Sequence, residues 1–193
     1  MPIQTAMTEL EAVNVMLTTI GEAPVNTLTN SAVSEVGIAR SILNETSKEV
    51  QSRGWHFNTE KLYPLVPDVN GYINVPLNFV QVDLDRSYDG TYDIVLRGQQ
   101  LYDRLNRTSI FKTTLYATVI QLFEFTQLPD VVRRYICIRA ARKFQDRVVG
   151  SPALHGFAER DEVAALVSMK EAESDVAGHN IFNNSDVSRT LWR

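Results

Sequence analysis

The stretch FVQVDLDRSYDGTYDIVL, Phe79 to Leu96, repeats with a period of two. Val80, Val82 and Leu84 alternate with Gln81, Asp83 and Asp85; Tyr92, Ile94 and Leu96 resume the pattern beyond Asp89-Gly90, a dipeptide suited to a tight hairpin turn. Successive side chains of a strand point to opposite faces, so this alternation predicts strands with one buried and one wet face. The period holds from Trp55 to Phe125 and predicts a β-rich insert over 55–126. Asn70-Gly71 is a second hairpin signal. Pro64, Pro67 and Pro76 confine their strands to an edge or break them, because proline cannot donate to a ladder. The run from Leu115 to Phe125 is apolar on both faces, which predicts a central strand.

Outward from the insert the period becomes helical. Before it, Thr8 with Glu11 forms a capping box, Leu10, Val13, Leu17 and Ile20 recur at helical spacing, and Gly21 and Pro24 end the run. A second helix is predicted from about Ser34 to Arg53, with Val36, Ala39, Leu43, Thr46 and Val50 in line and Gly54 as its stop. After the insert, Pro129 suits a first helical position, and a third helix runs to about Val149 with Ile136, Ala140, Phe144 and Val148 as its buried row. Ser151-Pro152 opens a fourth helix that ends near Gly178. The reading is an α+β fold in one domain over 1–193. About four helices, from 6–54 and 128–178, enclose an antiparallel β-meander, and residues 179–193 form a polar arm.

Composition narrows the function. With 193 residues the chain can bury a sizeable core without staples. Its single cysteine, Cys137, has no partner for a disulfide and reads as a small buried side chain. The first ten residues lack the features of a signal peptide and no apolar run is long enough to span a bilayer, so a soluble protein made in a cytoplasm, with no membrane partner, is expected. A net charge of −4 argues against simple nucleic-acid binding, which needs a basic face to displace counterions.

Metal and nucleophile motifs are missing, and His56, His155 and His179 are far apart in sequence, so no metal or cofactor is expected. From Asp85, DRSYDGTYDIVL places oxygens and a glycine as a calcium loop would, but Leu96 stands where a bidentate glutamate belongs. Asp83 and Asp85, two residues apart on one expected strand, would have their carboxylates about 7 Å apart, a spacing a glycoside hydrolase can use. A glycan hydrolase acting through this pair is the enzymatic alternative to a non-catalytic chain. Tyr88 and Tyr92 nearby read as cross-strand partners.

The strongest charge pattern lies on the third helix. Arg139, Lys143 and Arg147 share one i+4 row, with Arg133, Arg134 and Arg142 beside it, and the fourth helix answers with Glu159, Asp161, Glu162, Glu171, Glu173 and Asp175. The pairing suggests a charged seam, either inside one chain or between neighbours. Reversing the charge of Arg139, Lys143 and Arg147 together is expected to block assembly and leave the fold intact.

Three segments carry a family likeness: AVNVMLTTIGEAPVNTL (Ala12 to Leu28), ILNETSKEVQSRGWHFNTE (Ile42 to Glu60) and YICIRAARKFQDRVVGSP (Tyr135 to Pro152). Together they resemble the tail tubular protein A family of short-tailed bacteriophages. The resemblance implies a structural protein of the virion tail, a dodecameric ring joining the portal protein to the tail tube or nozzle protein, with tail fibres near that joint and DNA passing through the lumen. A closed ring needs two different faces on each subunit, which the basic and acidic helices could supply. In the arm, Phe182 and Trp192 are the expected interface anchors, since large aromatics dominate such contacts.

Overall fold

The computed structural model describes residues 5–29 and 34–176. They hold α1 (Glu9–Thr19), α2 (Ser34–Gln51), β1 (Thr59–Leu65), β2 (Phe79–Leu84), β3 (Ile94–Arg97), β4 (Gln100–Asp103), β5 (Leu115–Gln121), α3 (Asp130–Val148) and α4 (Pro152–Val176). The fold is α+β, with helices from both chain ends and antiparallel strands between them. It divides into two compact units, residues 1–46 with 128–193 and residues 47–127, with the division falling inside α2.

In the helical unit, α1 starts at a complete capping box. Thr8 Oγ1 accepts the Glu11 N–H, and the Glu11 carboxylate accepts the Thr8 N–H at 2.7 Å. It ends in a Schellman motif: Gly21 adopts φ 83°, its N–H reaches Thr18 O, and the Glu22 N–H reaches Leu17 O. Ala12, Val13, Met16 and Leu17 are buried between these ends. On α2, Val36, Ala39, Ile42 and Leu43 are buried in line. α3 is the central helix of the unit, packing against both α1 and α4. Its buried row includes Ile136, Ala140 and Phe144, but Val148 is 44% exposed, because the final turn of α3 has run past its apolar neighbours. Pro129 occupies the cap and Asp130 is the first helical residue, so the expected first-turn proline lies one place outside the helix. Pro152 does open α4.

The strand unit contains a three-stranded antiparallel sheet in the order β1-β5-β2 and a separate β3-β4 hairpin. β5 is central, in keeping with its two apolar faces, and β1, which contains Pro64, is an edge strand. The Asp89-Gly90 hairpin is not formed. β2 pairs with β5, its chain leaves through a 3₁₀ turn at Arg86–Tyr88, and β3 pairs forward with β4 across Gly98-Gln99. Gly98, at φ 65°, supplies the positive φ that a two-residue hairpin loop needs at its first position. Tyr88 and Tyr92 do touch, with ring centroids 6.1 Å apart, but within the turn and not across strands. The core gathers Leu65, Ile73, Phe79, Leu101, Phe111 and Leu115.

Two buried amides stitch this unit. Gln51, only 1% exposed, donates from Nε2 to Phe123 O at 3.0 Å and accepts the Phe123 N–H at 2.8 Å, copying a strand's paired hydrogen bonds with a side chain. Asn58 Nδ2 donates to Gln51 O and Gln121 O, and its Oδ1 accepts the Trp55 N–H. The indole N–H of Trp55 donates to Val50 O at 2.7 Å. Gly54 sits at φ 71°, and a Cβ there would stand 2.7 Å from Ile120 Cδ1, which gives its place in QSRGW a steric reason.

Candidate functional site

The charged seam lies between α3 and α4. Glu162 on α4 is 8% exposed, and its two oxygens are divided between Arg139 Nη1 and Arg142 Nε, each at 2.5 Å. Residues 139 and 142 are separated by three positions on α3, so their guanidinium groups arrive from one face. Arg139 also donates to Tyr135 Oη at 3.3 Å. The cluster continues from Arg142 to Asp146 at 3.8 Å and from Asp146 to His155 Nδ1 at 2.9 Å. An ion pair this enclosed tolerates loss of one partner poorly, because the other is left charged and poorly solvated.

The basic row on α3 is therefore divided in its contacts. Arg139 belongs to the enclosed clasp, Lys143 is half-buried, and Arg147 makes a two-point contact with Glu45 of α2, Nη1 to Oε2 at 3.1 Å and Nη2 to Oε1 at 3.2 Å, with both side chains more than half exposed. Reversing Arg139 would set a second carboxylate against Glu162, so the triple reversal cannot leave the fold untouched. Arg133 is also committed, donating to Leu128 O and Met7 O. Nothing in the sequence pattern distinguished Glu162 from its acidic neighbours, because its partners depend on the α3–α4 packing angle.

Beside the clasp runs a groove of about 570 Å³. Its floor is one face of α3, Val131, Arg134, Ile138, Ala141 and Gln145, spaced three and four residues apart. Val15 and Thr19 of α1 form one wall, and Ala158, Asp161, Ala164 and Ser168 of α4 form the other. Small side chains on α4 keep the groove open. Gln145 is 4% exposed, and its Nε2 has no acceptor among the described residues.

Asp83 and Asp85 are not two carboxylates on one strand face. β2 ends at Leu84, and Asp85 caps the following 3₁₀ turn, where its Oδ1 accepts the Ser87 N–H at 2.9 Å. That backbone hydrogen bond holds the Asp85 carboxyl below its ordinary range, the opposite of what a general acid requires. Asp83 is exposed and bonded to Gln81 Nε2. Among the described residues no group of three or more His, Cys, Asp or Glu could hold a metal ion. Cys137 is buried, and burial pushes its thiol up to about 12. Phe182 and Trp192 lie outside the described residues. No helix among the described residues is long and apolar enough to cross a membrane.

The helical unit thus carries a charged clasp and a groove beside it, in a chain with a strand-rich insert. A family model described as tail tubular protein matches residues 10–179, and the chain belongs to that family of structural proteins of bacteriophage tails. It is similar to tail tubular protein A of Klebsiella phage KP34, 31% identical over 124 residues. The aligned part is 64% of this chain and 64% of the relative, so the match spans less than two thirds of that protein's length.

Proposed function

We propose that the chain is a ring-forming adaptor of the virion tail, joining the portal protein to the tail tube or nozzle protein and lining the channel through which DNA is ejected. The observation that carries the reading is family membership over residues 10–179, with the groove on the helical unit as a surface suited to a neighbour. A net charge of −4 is compatible with a lumen past which DNA slides. Ring closure uses heterologous contacts, in which one face of a subunit meets a different face of the next. In this reading the ring holds twelve copies, the fibres attach near its joint with the nozzle, and synthesis takes place in the host cytoplasm.

Within that reading, Lys143 and Arg147 contribute to contacts between copies or with the portal, and Arg139 supports them by holding α4 on α3. Electron microscopy of the full chain mixed with its portal protein tests the proposal. End-on rings coaxial with the portal are expected; a chain that stays dispersed, with bare portals, would overturn it. The double reversal Lys143→Glu with Arg147→Glu should keep the fold and reduce ring formation, and rings in normal yield would remove these two residues from the interface.

A further inference from the structure

The lining of the groove between α1, α3 and α4 sets the chemistry of what it can hold. Its floor from Val131 to Gln145 is about 21 Å long at the helical rise per residue. It is apolar through Ile138, Ala141 and Ala164 and carries opposite charges at Arg134 and Asp161. What the groove takes must present apolar side chains together with charges of both signs.

We infer that residues 177–193 of a second copy of this chain occupy the groove. That segment, AGHNIFNNSDVSRTLWR, supplies Ile181, Phe182, Leu191 and Trp192 for the apolar floor. Asp186 and Arg189 are complementary to Arg134 and Asp161. Seventeen residues reach at most about 56 to 61 Å when extended, ample to leave one subunit and run the length of another's groove. The inference rests on the ring reading: groove and segment are different surfaces of one chain, and a head-to-tail ring contact requires such a pair.

The test uses the full chain with p-benzoylphenylalanine in place of Trp192, and separately of Phe182, mixed with an equal amount of ¹⁵N-labelled unmodified chain and with portal protein. After irradiation, crosslinked peptides are identified by mass. Crosslinks from the modified chain to ¹⁵N peptides of α1, α3 or α4 that line the groove are expected, and Ala164→Trp in the labelled chain should lower their yield about tenfold with its thermal unfolding little changed. Crosslinks only to the modified chain's own groove would overturn the inference, as would crosslinks elsewhere or unaffected by Ala164→Trp. Rings seen in the same sample without groove crosslinks would sink this inference alone. Absence of both rings and crosslinks would sink the ring reading with it.

Discussion

Arg139 Nη1 and Glu162 Oε1 lie 2.5 Å apart at a contact between α3 and α4, with both side chains largely enclosed. Arg142 takes the second oxygen of Glu162, so one carboxylate holds two guanidinium groups of the central helix. This ties down the helix that forms one wall of the groove.

Glu162→Ala should therefore cost about 3–5 kcal/mol of unfolding free energy, the range for removing one partner of an enclosed ion pair. Chemical denaturation of the variant and parent measures it. Glu45→Ala, which removes the exposed partner of Arg147, should change stability by no more than about 1 kcal/mol. Equal effects would show that enclosure does not govern the strength of these pairs.

Gln51 gives a second expectation. Gln51→Leu fills a similar volume but leaves the Phe123 N–H and C=O unsatisfied, a loss of about 2–4 kcal/mol from two groups at about 1–2 kcal/mol each. Gln51→Glu keeps an acceptor for the Phe123 N–H but sets a buried carboxylate oxygen against the Phe123 carbonyl, so at neutral pH it should be at least as destabilised as Gln51→Leu. Thermal unfolding of the three chains gives the order.

A third expectation concerns pH. Asp103, fully buried at the end of β4, accepts from Asn106 Nδ2 at 2.6 Å, the Asp93 N–H at 3.1 Å and the Leu105 N–H at 2.9 Å. Burial alone would raise its pKa, but the hydrogen bonds from Asn106, Asp93 and Leu105 outweigh it and hold the carboxyl below its ordinary value of 3.8. A depressed folded pKa contributes stability that is complete above the unfolded value and is lost as pH falls through the folded one. The stability difference between parent and Asp103→Asn should be about 1–3 kcal/mol at neutral pH and shrink on acidification below about pH 4. A difference independent of pH would assign the effect to shape and not to charge.

The helices were legible because their signals are local. Thr8 and Glu11 are three residues apart, and Val36, Ala39 and Leu43 show a buried stripe without knowledge of its neighbour. Strand pairing was less legible, because Asp89-Gly90 has good turn chemistry and β2 nevertheless joins β5, more than thirty residues further on. Long-range pairing is settled by which apolar faces can share a core, and the dipeptide carries no information about that. At the site, the basic character of α3 could be read directly. The division of its arginines among Glu162, Glu45 and backbone carbonyls depends on where α2 and α4 lie, and the unsatisfied amide of Gln145 becomes visible only once the groove is formed.

Native mass measurement of the chain mixed with its portal protein tests the central claim most directly. The account predicts a complex containing twelve copies of the 21.8 kDa chain in addition to the portal. Portal protein found without this chain, while the chain remains as single copies at concentrations that saturate comparable contacts, would contradict it.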